Sequence, residues 1–237
     1  SRTGGFFRAP VSIGPGTSVG PHAVVEGWTE IGRENRIFQF ASVGAAPQDL
    51  KFHGEQSWLR IGDRNTVREF VTMHRGTEGG GGETVVGNDN LLMAYSHVAH
   101  DSLVGNRVVL ANGATLAGHV QVDDFAILGG LCAVHQFTRI GAHAMISGGA
   151  MVAQDIPPYS IAQGDRAKTV GINQVGLKRR GFSPSVIRDV KNAYKLVFRS
   201  GLRLEEAIRR IDEDLEKSPE LAVFVQFIRN SPRGVAR

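Results

Sequence analysis

The chain has 237 residues, of which 41% are apolar and 21% charged, so it can fold as one main globular domain with a smaller accessory one. A single cysteine, Cys132, excludes an internal disulfide framework and suits a reducing compartment, and no apolar run approaches the roughly 20 residues that a membrane span needs. We therefore expect a cytoplasmic protein. The net charge of +4 is uneven, because residues 1–165 carry a net −4 and residues 166–237 a net +8.

Aliphatic residues recur every six positions through the first two thirds of the chain. The series runs from Ile13 to Val43, resumes from Ile61 to Met73, and runs again from Val86 to Val152. A helix would need spacings of three and four, and an ordinary strand a spacing of two. A period of six instead predicts a parallel β-helix, in which each short strand points one aliphatic side chain inward before the chain turns a corner.

The fold class predicted for residues 1–157 is mainly β, and similarity to hexapeptide-repeat proteins implies that this parallel β-helix is left-handed. Similarity to hexapeptide-repeat proteins implies three sides per coil, so residues 18 apart should stack. Breaks in the period predict loops at residues 44–60 and 74–85, and both loops leave the prism after the same side. That side is predicted to stack Val43, Met73, Val98, Leu116, Val134 and Val152.

One edge of this prism is predicted to carry the function, because both loops and five of the eight histidines meet there. Any one of these histidines is more readily explained as a polar residue at a corner. Long loops on a regular scaffold are usually functional, however, and here they coincide with the cluster. The polar residues of this edge are His74, His97, His100, His119, His135 and Gln136.

The chemistry of this edge suits proton transfer. An imidazole with a pKa of about 6.5 can accept a proton near neutral pH, and a neighbouring carboxylate can fix its tautomer. His100 and Asp101 form such a pair in sequence, although adjacent side chains of a strand point to opposite faces. In the first loop, Asp49 and Lys51 either bind a hydroxylated ligand or are simply solvated.

Beyond the repeats, residues 158–182 form a predicted connector and residues 183–237 a basic α-helical domain. Ser183 before Pro184 is a helix-start signature, and residues 204–215 and 219–228 supply two further predicted helices. No nucleic-acid motif accompanies the basic charge. An acidic protein partner or a phosphorylated ligand explains it better, with Lys178, Arg179 and Arg180 as candidate phosphate ligands.

Eleven stretches of the chain together resemble one enzyme family. These are IGRENRIFQFASVG, QDLKFHGE, HRGT, SHVAHDSLVGNR, ANGATLAGHV, VDDFAILGG, AVHQF, GAHAM, AQDIPPYSIAQG, GLKRRGF and NAYKLVFRSG. They are similar, in order, to the acyl-carrier-protein-dependent UDP-N-acetylglucosamine O-acyltransferases that begin lipid A biosynthesis. The resemblance covers nearly the whole chain from about residue 12.

The resemblance implies a catalytic mechanism. His100 would be the general base that deprotonates the 3-hydroxyl of UDP-N-acetylglucosamine, and Asp101 would orient it. The alkoxide would attack the thioester of a 3-hydroxyacyl chain, and the backbone N–H of Gly118 would stabilise the oxyanion. The donor is carried on the phosphopantetheine of acyl carrier protein, so no other cofactor and no metal is expected. Related proteins are homotrimers with active sites between subunits.

The family's binding residues also map onto this chain. Asp49 and Lys51 would contact the sugar and its diphosphate, and Asp49 favours a hydroxyl acceptor over an amine. Gly148 would leave the acyl-chain groove open to a longer chain. The remaining implied contacts are His74, His97 and Gln136 lining the cleft, His119 and His135 near the acyl donor, and Asn173, Arg179 and Arg180 on the nucleotide.

Two departures from the family and three alternatives accompany this interpretation. Ser1 is expected to lie inside the family's first coils, and Val175 stands where an acidic nucleoside contact is expected. The alternatives are an N-acyltransferase acting on a related UDP-amino sugar, a trimeric zinc enzyme of the carbonic anhydrase type, and a catalytically silent scaffold. Three histidines on adjacent rungs are the feature that favours zinc.

Overall fold

A computed structural model describes residues 6–7, 10–215 and 218–237. The expectation concerning Ser1 lies outside these residues. In the described chain, short strands form three sheets that close into a triangular prism, as the period of six and the similarity to hexapeptide-repeat proteins together predicted. Sheet 1 contains β1 (Phe6–Phe7), β4 (Val24–Val25), β7 (Ser42–Ala45), β10 (Thr72–His74), β13 (His97–Val98), β16 (Thr115–Leu116), β19 (Ala133–Val134) and β22 (Met151–Val152).

The other two sheets have the same parallel pairing between successive coils. Sheet 2 contains β2 (Val11–Ile13), β5 (Trp28–Ile31), β8 (Trp58–Ile61), β11 (Glu83–Val86), β14 (Leu103–Val104), β17 (Gln121–Val122) and β20 (Arg139–Ile140). Sheet 3 contains β3 (Ser18–Val19), β6 (Arg36–Ile37), β9 (Thr66–Val67), β12 (Leu91–Leu92), β15 (Val109–Leu110), β18 (Ile127–Leu128), β21 (Met145–Ile146), β23 (Ser160–Gln163) and β24 (Lys168–Ile172), of which the last pair is antiparallel.

The register of sheet 1 confirms the predicted stack of aliphatic residues. Val43 pairs with Met73, Met73 with Val98, and the pairing continues upward through Leu116, Val134 and Val152. All six are at most 2% exposed. Because each coil contributes one such side chain per sheet, the prism has a narrow core that runs along its whole length.

Buried asparagines reinforce one side of this core. The side-chain oxygen of Asn35 accepts a hydrogen bond from the backbone N–H of Asn65, and that of Asn65 accepts one from the backbone N–H of Asn90. Their amide groups donate to backbone carbonyls of neighbouring coils. The ladder therefore satisfies backbone groups that the narrow prism buries at its corners.

Two loops interrupt the coils after sheet 1. The first comprises residues 46–57, between β7 and β8, and the second residues 75–82, between β10 and β11. The second loop contains a short 3₁₀ turn, Glu78–Gly80. Because both loops follow strands of the same sheet, they rise from the same corner of the prism.

The region predicted as a connector contains regular structure. Residues 158–182 include the β23–β24 hairpin and helix α1 (Gln174–Arg179). Helices α2 (Pro184–Phe198), α3 (Leu204–Asp214) and α4 (Pro219–Arg229) follow and pack around a second apolar core. Among the described residues, no helix combines the length and apolar character needed to cross a membrane.

Serines cap two of these helices, as the sequence predicted for α2. Ser183 accepts a hydrogen bond from the N–H of Val186, and Ser218 accepts one from Leu221, while a proline occupies the first turn in each case. After α4 the chain returns to the prism, where Ala236 donates to the carbonyl of Asp155 and is 1% exposed. The helical domain is thus attached to the prism at both of its ends.

Candidate active site

His100 and Asp101 form a hydrogen-bonded pair at the corner that follows sheet 1. The Nδ1 atom of His100 lies 2.7 Å from Oδ2 of Asp101. Asp101 adopts a left-handed conformation with φ of 60°, so the chain turns there and the two adjacent side chains reach the same edge. A carboxylate only accepts hydrogen bonds, so Nδ1 carries the proton and Nε2 keeps the lone pair of a base.

The Asp101 side chain is completely buried, with an exposed fraction of 0%. Its Oδ1 accepts a hydrogen bond from the backbone N–H of Thr77 and its Oδ2 one from the Thr77 hydroxyl, both at 2.7 Å. The backbone N–H of Asp101 donates to Oγ1 of Thr84 at 2.8 Å. Burying a carboxylate is costly unless donors surround it, and here each oxygen has at least one donor.

Gly118 lies directly against the imidazole of His100. A Cβ atom built on Gly118 would lie 2.6 Å from Nε2 of His100, which is well inside van der Waals contact. The backbone N–H of Gly118 donates to no other group within the described part of the chain. Gly118 thus combines a free N–H with close approach of its backbone to the imidazole, as a residue that donates to an oxyanion near the base requires.

His119 and Phe137 extend the site one and two coils further along the prism. The two rings stack at 4.3 Å between centroids, and Nε2 of His119 lies 3.7 Å from Oδ2 of Asp101. Burial lowers the pKa of His119, an effect that His100 reinforces and Asp101 opposes. Both rings line a cleft of about 790 Å³ that also contains Asp49 and Lys51, so the first loop and the catalytic corner share one cavity.

His74 and His97 lie behind the pair, on sheet 1. Their rings meet edge to face at 4.9 Å, and Nδ1 of His97 lies 2.6 Å from the hydroxyl of Thr72. Burial, followed by the nearby charges of His97 and His100, lowers the pKa of His74 to about 4. Burial and His100 also lower the pKa of His97. His74 is therefore neutral at physiological pH.

The shift at His74 predicts a pH dependence of stability. In the unfolded chain the pKa of His74 returns to 6.5. Between pH 6.5 and about pH 4, His74 is therefore protonated in the unfolded state and neutral in the folded state. His74 thus costs stability as the pH falls between these values and has no such effect above them. We expect thermal unfolding of His74→Gln to be less sensitive to acidification across this interval than that of the parent. The exposed residue His22 provides the control, since His22→Gln should keep the pH sensitivity of the parent. Equal pH sensitivity of the parent and His74→Gln would contradict the argument that burial lowers the pKa of His74.

The other predicted residues of this edge are exposed. His135 contacts the carbonyl of its neighbour Gln136 through Nδ1 at 3.1 Å, and Arg233 of the C-terminal segment donates to the same carbonyl at 2.8 Å. Both residues lie one coil beyond His119 at the same corner.

Asn173, Arg179 and Arg180 lie at a different corner, the one that follows sheet 2. Asn173 caps α1, and its amide donates to the carbonyl of His143 at 3.1 Å. The guanidinium of Arg180 lies 4.6 Å over the ring of Phe125. Val175 is 61% exposed. One chain therefore does not bring the nucleotide candidates and the catalytic pair into a common cavity.

Gly148 lies at the third corner, after sheet 3. A Cβ atom there would lie 3.2 Å from the carbonyl oxygen of Gly130, and φ is outside the left-handed region. The neighbouring Leu131 is 73% exposed and Met151 is 40% exposed, so this corner presents an apolar surface.

Sequence reasoning drew only His74 from the HRGT segment, whose next residues also serve the site. Arg75 is 7% exposed and donates to the carbonyls of Gly44 and Ser57. Gly44 precedes the first loop, and Ser57 is its last residue. Its guanidinium also lies over the rings of Trp28 and Phe52. Arg75 thus anchors the loop that carries Asp49. Arg75 directly follows a buried strand, and a buried cation requires hydrogen-bonding or charged partners. This position is the feature of the sequence that could have indicated its role.

Comparisons with known proteins agree with this geometry. Residues 155–236 match the family model for the second domain of UDP-N-acetylglucosamine O-acyltransferase, and residues 83–118 match that for the bacterial transferase hexapeptide. The solved UDP-N-acetylglucosamine acyltransferase of Francisella novicida is 42% identical, with 98% of this chain and 86% of that chain covered and a TM-score of 0.95.

Two further structures are similar over nearly their whole length. LpxA from Acinetobacter baumannii is 41% identical, with 99% and 95% of the two chains covered and a TM-score of 0.94. LpxA from Bacteroides fragilis, a UDP-N-acetylglucosamine acyltransferase, is 41% identical, with 98% of each chain covered and a TM-score of 0.92.

A left-handed prism of hexapeptide repeats with a His–Asp pair at one corner defines a hexapeptide-repeat acyltransferase. Within that class, the identity over nearly full length is decisive. The chain belongs to the UDP-N-acetylglucosamine O-acyltransferase family, as its sequence motifs predicted.

Proposed function

We propose that this protein transfers a 3-hydroxyacyl chain from acyl carrier protein to the 3-hydroxyl of UDP-N-acetylglucosamine, the first step of lipid A biosynthesis. Membership of the family supports the reaction. The single observation that carries the mechanism is the 2.7 Å bond between Nδ1 of His100 and the buried carboxylate of Asp101, which leaves Nε2 available as a base.

In this mechanism, Nε2 of His100 takes the proton of the sugar 3-hydroxyl while that oxygen attacks the thioester carbonyl. Asp101 stabilises the imidazolium that forms. The tetrahedral oxyanion accepts a hydrogen bond from the backbone N–H of Gly118. Collapse expels the phosphopantetheine thiolate, which recovers the proton from Nε2. The products are the sugar ester and the free thiol, and His100 returns to its neutral form.

We assign the remaining residues to binding. Asp49 and Lys51 contact the sugar and its diphosphate, a role supported by their position in the 790 Å³ cleft with His119. His135 lies toward the acyl donor, and Gln136 lines the same edge. Gly148 leaves room for a long acyl chain, which a scan of donor chain lengths tests. We assign His74 and His97 to the inner side of the same edge, where both lie close enough to His100 for its charge to lower their pKa values.

A homotrimer completes the site in this proposal. Asn173, Arg179 and Arg180 bind the nucleotide, and they lie at a different corner from the His100 pair, so a neighbouring subunit has to bring them to the sugar. An exposed stack of Phe40, Phe70 and Tyr95 along a third corner also supports association.

Mixing two inactive variants tests this shared site. His100→Ala and Arg180→Ala should each lose most activity alone, whereas trimers that contain both variants should regain activity at about one third of their sites. Co-expression with different affinity tags and a transfer assay on the doubly tagged species measure this. No regain in such mixed species would contradict a site built from two subunits.

Zinc chemistry is the second candidate, because His100, Asp101 and His119 place ligand atoms within 4.8 Å of one another. The Asp101 oxygens already accept hydrogen bonds from Thr77 and His100, which supports acid–base use instead. We propose that transfer requires no metal. Undiminished acyl transfer after chelation, together with elemental analysis, tests this; stoichiometric zinc whose removal abolishes activity would favour the alternative.

A further inference from the structure

Thr77 is the residue through which the second loop reaches the catalytic pair. It is 6% exposed and contributes two of the three hydrogen bonds that reach the Asp101 carboxylate at 2.7 Å, the third coming from His100. One chain segment thus holds both oxygens of the carboxylate and fixes its plane. The direction of the bond to His100 depends on that plane.

The Thr77 hydroxyl is used in an unusual way for its position. Thr77 precedes the 3₁₀ turn Glu78–Gly80, where a threonine ordinarily accepts a hydrogen bond from the turn's own backbone. Here its side chain makes no such cap and donates to Asp101 instead. The turn is held by its backbone, since Gly80 and Gly82 both donate to the carbonyl of Thr77.

The same turn closes the outer side of the carboxylate. A Cβ atom at Gly80 would overlap the carboxylate of Asp101, so the backbone of Gly80 lies directly upon it. The φ angle of Gly80 is outside the left-handed region, so the turn itself does not require glycine there. Glycine is required at position 80 because a side chain there would overlap the carboxylate of Asp101.

We propose that Thr77 is a positioning residue for acyl transfer: its two hydrogen bonds hold Asp101 so that His100 keeps its proton on Nδ1 and its lone pair on Nε2. This inference rests on the proposed function for its kinetic consequence. Its structural content, the tautomer of His100, is independent of the reaction. The second loop therefore acts on the base as well as bordering the cleft.

Thr77→Val removes the hydroxyl and keeps the backbone donor and the side-chain volume. We expect kcat to fall on the order of 10- to 100-fold, the range seen when supports of metal-bound histidines are removed. KM for the sugar nucleotide should change little, and Thr77→Ser should restore most of kcat. Gly80→Ala, which displaces the same carboxylate without touching Thr77, should also lower kcat.

Thr17→Val is the matched control. The Thr17 hydroxyl likewise donates a hydrogen bond, to the carbonyl of Gly32, and accepts hydrogen bonds from Asn35, but it lies in the N-terminal coils, away from the catalytic corner. It should leave kcat unchanged. Activity of Thr77→Val equal to that of the parent, or a loss that serine does not restore, would overturn the proposal.

Nitrogen NMR of His100 separates this inference from the proposed reaction. The parent should show the Nδ1–H tautomer, Thr77→Ser should retain it, and Thr77→Val should show a mixture of tautomers. An unchanged tautomer in Thr77→Val would overturn the positioning role whether or not the protein transfers acyl groups. Failure of the parent to transfer, with the tautomer shift present, would instead contradict the reaction and support the positioning role.

Discussion

His100→Ala is expected to lower kcat for acyl transfer on the order of 10²- to 10⁴-fold, the usual contribution of a positioned general base. The three heavy atoms nearest a Cβ built on Gly118 all belong to the His100 side chain, and one of them is its free nitrogen, Nε2. Its removal also leaves the buried Asp101 carboxylate with the two hydrogen bonds from Thr77 and none from a histidine at position 100. KM for UDP-N-acetylglucosamine should change much less than kcat, since His100 acts in the transition state.

The fold should survive this replacement. His100 lies outside the aliphatic core, and sheet 1 pairs through backbone groups that alanine retains. Steady-state kinetics with both substrates, alongside thermal unfolding, measure the two effects separately. His22→Ala serves as control, because His22 is an exposed histidine that stacks on Phe40, away from the catalytic corner. A His100→Ala enzyme with more than about one tenth of parental kcat would contradict general-base catalysis.

Gly118→Ala is expected to lower kcat by about 10²-fold, the loss that a displacement near 1 Å at a reacting group can cause. The added Cβ would lie 2.5 Å from Cε1 and 2.6 Å from Nε2 of His100, so the imidazole has to move. The φ angle of Gly118 is not left-handed, and alanine therefore brings no backbone strain. The loss should appear in kcat with little change in the unfolding temperature.

A control and a double variant sharpen this test. Gly171→Ala has open space around its Cβ and a permissive φ, so it should retain full activity. Because Gly118→Ala acts through His100, the double variant should be hardly worse than His100→Ala alone. Additive losses would show that Gly118 acts independently of the imidazole, through its N–H alone.

The repeats made most of the prism predictable. A period of six fixes the inward residues, and the three sides per coil implied by similarity to hexapeptide-repeat proteins add the register. Val98 opposite Leu116, 18 residues apart, follows from the two together. The interruptions of the period located both loops at the corner after sheet 1. Helix caps such as Ser183 before Pro184 made α2 predictable in the same local way.

The contacts that build the site depend on corners and loops, where no period operates. Strand geometry would separate the side chains of His100 and Asp101, and only the left-handed φ at Asp101 brings them together. The link from Thr77 to Asp101 joins residues 24 apart in sequence through an irregular loop. Helix α1 was missed because its six residues are too few to show a period.

The most direct test of the account is the product formed by the purified chain from 3-hydroxyacyl carrier protein and UDP-N-acetylglucosamine, identified by mass spectrometry and NMR. The account predicts an ester on the 3-hydroxyl of the sugar, formed with release of the free carrier-protein thiol. A folded protein that forms no such ester, and that instead acylates the corresponding 3-amino sugar nucleotide to an amide, would contradict it.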